Sequence, residues 1–325
     1  MKQKSIVVTG AAGFVGANLV RYLNEQMYEN IVLVDTLSKE NYYKNLIGLK
    51  YCDFLNFEKG VEFLNDSIRQ YENIAAIFHI GANADVLIED CNIMMEMNFE
   101  HSKFWFNIAK EKNIPFIYAS SSAVYGNGQS FRVIHEDENP HNEYAFSKLA
   151  FDNYVRSQIN TCRNKVIGFR FFNIFGMGEF HKGKNASLPH RFFEFITTKG
   201  FIDLFSKEIN RDYVWVEDVC RILYNTWQLN IQSGIYNLGS GNPISHEKLA
   251  SLVIDVMSEE NLINKEKDEC IAKITMPQNL VNKFQYLTKA EDLLDWINDI
   301  TKGNEDKIKL YIRALCQRYR NENTK

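Results

Sequence analysis

Tyr144 and Lys148 are separated by three residues, and a phenol and an ammonium at this spacing could carry out proton transfer. On a helix the two side chains project from one face, one turn apart. The ammonium stabilises a phenolate and lowers the pKa of the phenol from about 10. A tyrosine that acts as a base near neutral pH needs a pKa about 3 units lower, or about 4 kcal/mol. A neighbouring lysine together with a bound pyridinium could supply this. Together with the glycine-rich turn at residues 10–16, and not alone, the pair points to nicotinamide redox chemistry.

A glycine-rich turn near the N-terminus has the composition of a pyrophosphate cradle. Gly10, Gly13 and Gly16 fall between the first predicted strand and the first predicted helix. There the absent side chains allow a tight turn and close approach to an anion, which the helix N-terminus also faces. Asp35 closes the second predicted strand, where a carboxylate accepts hydrogen bonds from a ribose hydroxyl and repels a 2′-phosphate. Nearby lysines such as Lys44 could offset that repulsion, so NAD and NADP both stay open.

A serine run follows the predicted strand at 115–119. At least one hydroxyl of Ser120, Ser121 and Ser122 should project from the carboxyl edge of the sheet, where doubly wound folds bind ligands. A helix cap or a turn would explain such a run equally well. At that edge, however, a serine hydroxyl can bridge a substrate oxygen and Tyr144.

Short apolar runs alternate with helix-length segments in the first half of the chain. The runs have the composition of buried parallel strands, and they lie at 5–9, 31–34, 75–79, 115–118 and 166–170. The helical patterns include 17–25, 99–112 and 144–159. This alternation predicts right-handed βαβ crossovers and an α/β fold, a Rossmann doubly wound parallel sheet.

The pattern changes after about residue 173. Loops are predicted at 176–187 and 206–212, and helices near 188–198, 217–229 and 245–258. We therefore expect a NAD(P)-binding Rossmann domain over 1–175 and mainly a smaller, mixed α/β substrate-binding lobe over 176–325. A strand near 235–239 could return to the main sheet.

Composition and charge limit the partners of the chain. It has 325 residues, is 45% hydrophobic and carries a net charge of −4, with no lysine- and arginine-rich stripe. A large core and small-molecule partners are expected, without nucleic acid. The six cysteines form no Cys-x-x-Cys pair, which favours reduced thiols and no metal site. The chain begins directly with a predicted strand and contains no apolar run of membrane length, so we expect a cytoplasmic protein without membrane contact.

Together these motifs resemble the extended short-chain dehydrogenase/reductase superfamily over essentially the whole chain. The glycine turn, Asp35, Ser121 shortly before Val124-Tyr125-Gly126, and the Tyr144/Lys148 pair carry this resemblance. Within the superfamily the chain is similar to the ADP-L-glycero-D-manno-heptose 6-epimerases. The further stretches that carry that similarity are 118–121, 168–176, 181–183 with Ala186 and Ser187, and 211–214.

The resemblance implies a reaction and roles for individual residues. Tyr144 and Lys182 would be paired acid/base groups on opposite faces of the sugar carbon, and Lys148 would contact the cofactor ribose. Asn173 would contact the substrate and Arg211 its diphosphate, for which a guanidinium offers bidentate donors. C6 of an ADP-linked heptose would be oxidised to a transient ketone and reduced from the other face, so that NADP or NAD stays tightly bound and is recycled. A homo-oligomer is also expected. Without the resemblance, Lys182 would be interpreted as a solvated lysine or a phosphate anchor.

The predicted site residues form three sets. The catalytic set is Ser121, Tyr144, Lys148 and Lys182. The cofactor-binding set is Gly10, Gly13, Phe14, Val15, Gly16, Asp35, Thr36, Gly81, Ala82, Asn98, Tyr144, Lys148 and Ile174. The substrate-binding set is Ser121, Asn173, Lys184, Arg191, Phe205, Arg211 and Phe284.

The chain departs from the epimerase pattern at the substrate and cofactor rims. The stretch 205–211 is shorter than the family's nucleotide-holding segment, and Lys184, Arg191 and Phe284 replace other residue types. Lysines that the family uses near a 2′-phosphate are also replaced. A GDP- or UDP-linked sugar, or NAD in place of NADP, therefore stays open.

Three other functions differ from that of the 6-epimerase in the residues that they require. Nucleotide-sugar 4,6-dehydratases resemble one another in placing Asp-Glu directly after the active-site Ser or Thr, whereas Ser121 is followed by Ser-Ala. A 4-epimerase that flips the whole hexose would keep Ser121, Tyr144 and Lys148 but would not require Lys182. A non-catalytic nucleotide-sensing protein would keep the fold without the chemistry. The retained serine, tyrosine and lysines disfavour that reading.

Overall fold

The computed structural model describes residues 4–38, 40–85, 88–281 and 285–323. The chain divides into two compact units, and the division is interleaved along the sequence. Unit 1 consists of Met1–Gly126, Val133–Phe171 and Glu217–Asn237. Unit 2 consists of Asn127–Arg132, Phe172–Val216 and Leu238–Lys325.

Most strands belong to one large, mostly parallel sheet. The strands in chain order are β1 (Ser5–Thr9), β2 (Ile31–Asp35), β3 (Asp53–Asn56), β4 (Ile74–His79), β5 (Phe116–Ser121), β6 (Val166–Phe171), β7 (Asn173–Phe175), β8 (Ile202–Phe205), β9 (Asn210–Arg211), β10 (Tyr213–Trp215), β11 (Gly234–Leu238), β12 (Ile244–Ser245) and β13 (Ile271–Ile274). The main sheet has seven strands in the order β11-β6-β5-β4-β1-β2-β3. The pairs from β3 to β6 in this order run parallel, which confirms the predicted doubly wound fold.

Helices connect the strands of the main sheet and also form much of unit 2. They are α1 (Phe14–Glu25), α2 (Val61–Arg69), α3 (Cys91–Met94), α4 (His101–Glu111), α5 (Glu143–Gln158), α6 (Leu188–Lys199), α7 (Val216–Gln228), α8 (His246–Glu259), α9 (Gln278–Val281), α10 (Asp295–Ile300) and α11 (Asn304–Asn323). A π-helical turn at Met95–Glu100 joins α3 to α4. Among the described residues, no helix combines the length and the apolar character needed to cross a membrane.

The strands of unit 1 form where apolar runs can be buried on both sheet faces. Every residue of β1, β2 and β5 is buried, as expected of central parallel strands. An aromatic core fills the space between β5 and the neighbouring helices: the ring centroids of Tyr118 and Phe151 lie 4.9 Å apart, and those of Phe106 and Phe116 lie 5.9 Å apart. This core presses α4 and α5 against the sheet.

A buried carboxylate fastens α5 to the sheet. The side chain of Asp152 is fully buried and accepts hydrogen bonds from the hydroxyls of Tyr118 and Ser120, each at 3.0 Å. It also accepts one from Nε of Arg170 at 2.9 Å, and Arg170 forms a second ion pair with Glu138. Because these donors lie on β5 and β6, the position of α5 along both strands is fixed.

Unit 2 contains three two-stranded sheets and its own apolar core. The pairs β7–β10 and β8–β13 are parallel, and β9–β12 is antiparallel. The core includes Phe175, Phe192, Trp215 and Tyr311, all buried. β9 lies within the stretch 206–212 that the sequence predicts to be a loop, so that prediction is wrong there. Its two residues pair with β12 and are too few to give a periodic signal.

Buried His79 makes the stability of unit 1 depend on pH. Its ring nitrogens lie 2.8 Å from the hydroxyls of Thr9 and Ser102, and its side chain is 1% exposed. Burial lowers the pKa of His79 well below 6.5, helped by the charges of His101 and Lys148. In the unfolded chain the imidazole takes up a proton near pH 6.5, whereas in the folded chain it stays neutral. Stability is therefore lost as the pH falls through about 6.5.

We expect the unfolding temperature to fall between about pH 7.5 and 5, and to fall less steeply in His79→Gln, which cannot be protonated. Circular dichroism melts of both proteins over this range test the prediction. The other histidines contribute equally to both curves, so only the difference in slope is used. Parallel curves would contradict a role for His79.

Candidate active site

The glycine turn between β1 and α1 leaves no room for side chains. A Cβ on Gly10 would lie 2.6 Å from Cα of Gly81, and Gly10 has a positive φ of 66°. A Cβ on Gly16 would lie 2.0 Å from the carbonyl oxygen of Gly10. The bare backbone and the N-terminus of α1, which begins with Phe14 and Val15, are the features with which this fold binds a dinucleotide pyrophosphate.

Asp35 lies at the carboxyl end of β2 and supports the same turn. One carboxylate oxygen accepts a hydrogen bond from the amide of Ala12 at 2.7 Å, and the other accepts from the amide of Thr36 at 2.7 Å. Asn45 holds the turn from the other side by donating to the carbonyl of Ala12 at 2.8 Å. Each carboxylate oxygen has more than one lone pair, so Asp35 can also accept from a ribose hydroxyl.

Asn98 holds the loop that follows β4. Its amide donates to the carbonyl of Asn83 and to the hydroxyl of Ser147, each at 3.0 Å, and its side-chain oxygen accepts from the amide of Asn83 at 2.7 Å. Gly81 and the exposed Ala82 lie in this loop. Asn98 thus links the predicted cofactor loop to α5, and a direct cofactor contact by Asn98 stays a prediction.

The structure brings Ser121, Tyr144 and Lys148 together. Ser121 ends β5, and its hydroxyl accepts from the amide of Ala123 at 3.1 Å. Ser121 also interacts with Tyr144 and lowers the pKa of its phenol. Tyr144 is the second residue of α5, and Lys148 follows one turn later with only 2% of its surface exposed. The phenol and a serine hydroxyl therefore share one end of the parallel sheet, where the fold binds ligands.

Burial dominates the electrostatics of this group. It raises the pKa of Tyr144, and the interaction with Ser121 offsets only part of the effect. Burial also lowers the pKa of Lys148 to about 8, although Asp152 acts in the opposite direction. The pKa of Tyr144 is shifted in the direction opposite to that expected from the Tyr144/Lys148 spacing, because removal of the phenolate from water is the dominant effect.

Lys182 lies in a 3₁₀ segment, Phe180–Asn185, of unit 2. Its side chain is half-buried, and its backbone amide donates to the carbonyl of Glu179 at 2.9 Å. Burial lowers the pKa of Lys182, and the negative charge of Glu179 partly restores it. The next residue, Gly183, has φ 50° and ψ −124°, a conformation that L-residues rarely adopt. This kink sets the path of the chain directly after the lysine.

The predicted substrate residues of unit 2 lie on several elements. Arg191 donates to the carbonyl of exposed Lys184 at 2.6 Å, so these two are joined. Asn173 on β7 donates to the carbonyl of Asp212 at 2.8 Å and to the hydroxyl of Thr288 at 3.0 Å.

Three more predicted residues lie on strands of unit 2. Phe205 ends β8, and Ile174 lies in the middle of β7; both are half-buried. Arg211 on β9 is also half-buried; burial lowers its pKa to about 10, so it stays positive at neutral pH. Phe284 lies outside the described residues.

Sequence reasoning missed three buried carboxylates that support these residues. Asp152 supports α5, Glu179 supports the Lys182 segment, and Asp212 accepts hydrogen bonds from the backbone amides of Ser240, Gly241 and Ala290 at 2.7–2.9 Å. A signal existed for Asp152, which lies four residues after Lys148 and therefore on the same helical face. No periodicity marks the other two, which lie in or beside short irregular segments.

The family model of the NAD dependent epimerase/dehydratase family matches residues 6–239. The chain belongs to this family, and the predicted dependence on a nicotinamide cofactor is confirmed at that level. It is 35% identical over 300 residues to ADP-L-glycero-D-manno-heptose-6-epimerase of Thiobacillus denitrificans, covering 88% of this chain and 90% of that protein. This similarity confirms the resemblance predicted from the sequence.

Solved structures of two epimerases are also similar to this chain. The ADP-L-glycero-D-manno-heptose-6-epimerase of Helicobacter pylori has a TM-score of 0.80 and 29% identity, with 96% of each chain covered. A UDP-N-acetylglucosamine 4-epimerase from Methanobrevibacter ruminantium M1 also has a TM-score of 0.80, at 20% identity, with 98% of this chain and 100% of that chain covered. The second similarity shows the fold alone.

Asp35→Asn should shift the preference from NAD toward NADP, since it removes the charge that repels a 2′-phosphate but keeps an oxygen acceptor. We expect the ratio of the two dissociation constants, measured by calorimetry, to change about tenfold, which corresponds to about 1.4 kcal/mol. Asn45→Ala is the matched control, because it loosens the same turn without changing its charge and should weaken both cofactors alike. An unchanged ratio in Asp35→Asn would place the ribose elsewhere.

Proposed function

We propose that this protein is a nucleotide-sugar epimerase that inverts C6 of an ADP-linked manno-heptose with a tightly bound, recycled NADP or NAD. The observation that carries the reaction type is the placement of Ser121 and Tyr144, which interact, at the carboxyl edge of the sheet, with buried Lys148 one helical turn from Tyr144. The similarity to ADP-heptose epimerases over most of the chain supports the choice of sugar. A cytoplasmic homo-oligomer is part of the same proposal and rests on the sequence analysis.

The first half-reaction is proton removal from the C6 hydroxyl. A bound nicotinamide supplies the hydride acceptor and later the donor, and its oxidised ring adds a positive charge. Tyr144, held by Ser121, takes the hydroxyl proton as the carbinol becomes a ketone. Burial raises the pKa of Tyr144. The positive charges of Lys148 and of a bound oxidised nicotinamide are therefore needed to stabilise the phenolate that takes this proton.

The second half-reaction delivers a proton to the ketone oxygen. Once the carbonyl has turned to present its other face, hydride return at C6 requires an acid that can reach the reoriented oxygen. We assign this role to Lys182, whose pKa burial lowers and whose ammonium is therefore a stronger acid than a solvated lysine. One proton has then passed from Lys182 to Tyr144, and exchange with solvent restores the starting state.

The charged end of the substrate needs a cationic partner. Arg211 is proposed for the diphosphate, because its guanidinium offers paired donors and is positive at neutral pH. Nη1 of Arg211 donates to the side-chain oxygen of Gln285 at 3.4 Å, a long contact that a phosphate oxygen can replace.

The reaction is tested by proton NMR of the purified protein with ADP-D-glycero-D-manno-heptose and no added cofactor. We expect the C6 and C7 resonances of the L-glycero epimer to appear. No change, with the cofactor verified in the protein, would contradict the assigned sugar. A UDP- or GDP-linked sugar converted in its place would favour another epimerase of the family. If no sugar nucleotide is converted and the absorbance between 320 and 360 nm does not change, the protein is a non-catalytic binding protein.

Tyr144→Phe and Lys182→Met should each reduce turnover by about 10²-fold or more, since each removes one acid/base group. Both should keep their cofactor, as measured by absorbance after denaturation. Lys302→Met, which changes an exposed lysine on the turn after α10, is the control and should keep wild-type turnover. Wild-type turnover in Lys182→Met would contradict the two-base assignment and favour a mechanism that uses Tyr144 alone.

A further inference from the structure

The carboxylate of Glu179 is hydrogen bonded to both ends of the segment 176–187, which carries Lys182. It is fully buried in unit 2. At the start of the segment it accepts a hydrogen bond from the amide of Gly176 at 3.3 Å. At the end it accepts from the hydroxyl of Ser187 at 2.6 Å and also from the amide of Ser187. One side chain thus closes the loop over 176–187.

A second layer of buried groups holds this carboxylate in place. The hydroxyl of Tyr311, on α11, lies 2.9 Å from Glu179 and 2.8 Å from Nδ1 of His190, on α6. Tyr311 is fully buried, and His190 is 5% exposed. Burial raises the pKa of Tyr311 and lowers that of His190, so both are neutral near pH 7 and leave Glu179 as the negative charge beside Lys182.

The charged groups around this layer come from three elements. Glu194 on α6 faces His190 at 3.5 Å, and Arg318 on α11 lies over the ring of Phe180 at 3.5 Å. Arg191, also on α6, donates to the carbonyl of Lys184 within the segment. With Glu179, Tyr311 and His190 these are titratable and charged groups that face the Lys182 segment among the described residues. Among them, Glu179 is the group whose charge acts directly on Lys182.

We propose that Glu179 is a positioning residue for catalysis: its carboxylate fixes the path of the 176–187 segment and keeps the Lys182 ammonium charged and oriented as the acid. The inference rests on the role of Lys182 in the proposed function. It assigns to Glu179 no contact with the substrate, only an effect through the lysine. Tyr311 donates to the carboxylate, and His190 is hydrogen bonded to Tyr311, so both help to hold the carboxylate in place.

The test compares Glu179→Gln with wild type in turnover and in its pH dependence. Gln keeps the size of the side chain but removes the charge that stabilises the ammonium, so the pKa of Lys182 should fall further. Turnover needs the ammonium, so its loss at alkaline pH should begin at lower pH in Glu179→Gln. We expect kcat to fall about 10²-fold, as for a misplaced catalytic group, with a much smaller change in KM.

Two variants separate charge from packing. Tyr311→Phe removes one donor to Glu179 but keeps the charge, so it should lower kcat without moving the alkaline limb. Glu194→Gln removes an exposed carboxylate near the same histidine and should leave both quantities unchanged. If Glu179→Gln does not fold, Tyr311→Phe still decides the positional half of the proposal, because wild-type kcat in that folded variant would overturn it.

Lys182→Met is measured in parallel to distinguish the role of Glu179 from the role of Lys182 in the proposed function. If Lys182→Met is inactive and Glu179→Gln keeps wild-type kcat and pH profile, the role of Glu179 is overturned and the proposed function stands. If Lys182→Met stays active, the role of Lys182 and that of Glu179 fall together. An inactive Lys182→Met with a shifted alkaline limb in Glu179→Gln supports both.

Discussion

The buried carboxylate of Asp152 makes the contacts on which the proposed catalytic part of unit 1 depends. It receives hydrogen bonds from two residues of β5 and from Arg170 on β6, so it sets where α5 lies on the sheet. The same helix carries Tyr144 and Lys148, and the strand that supplies two of the donors ends at Ser121. A charge this deeply buried is costly unless it is paired and hydrogen bonded. Loss of one hydrogen-bond donor to Asp152 would therefore lower the stability of the fold by more than the free energy of that hydrogen bond. It would also move the phenol of Tyr144 relative to Ser121.

The two proposed catalytic lysines share one electrostatic arrangement. Each is taken partly or wholly out of water, which lowers its pKa, and each has a carboxylate nearby that acts in the opposite direction: Asp152 for Lys148 and Glu179 for Lys182. Burial makes an ammonium a better acid, and the carboxylate keeps it from losing its proton at neutral pH. The chain thus places lysines where a solvated lysine would be too weak an acid for the chemistry. Each carboxylate is in turn fixed by buried hydroxyl donors, so its position does not depend on solvent.

The sequence predicts the main sheet well because its strands are short apolar runs with helices between them, and the bounds of β1, β4 and β6 lie within one residue of the prediction. The edge strand β3 was not predicted, because only Leu55 of its four residues is buried and no apolar run marks it. The glycine turn and the Tyr144/Lys148 spacing could be identified because their geometry is local. The pKa direction of Tyr144 could not be predicted, because it depends on burial by distant residues. Glu179 was missed for the same reason: its partners Ser187 and Tyr311 lie far apart in sequence.

The central claim is that C6 is inverted by removal and return of one hydride inside the protein. The most direct measurement uses ADP-D-glycero-D-manno-heptose carrying deuterium at C6, incubated in ordinary water, with the label followed by NMR and mass spectrometry. The account predicts that the L-glycero product keeps the deuterium at C6 and gains no hydrogen there from solvent, since the same hydride returns from a retained cofactor. A product that has exchanged its C6 deuterium for solvent hydrogen would contradict the account and require inversion by deprotonation at carbon.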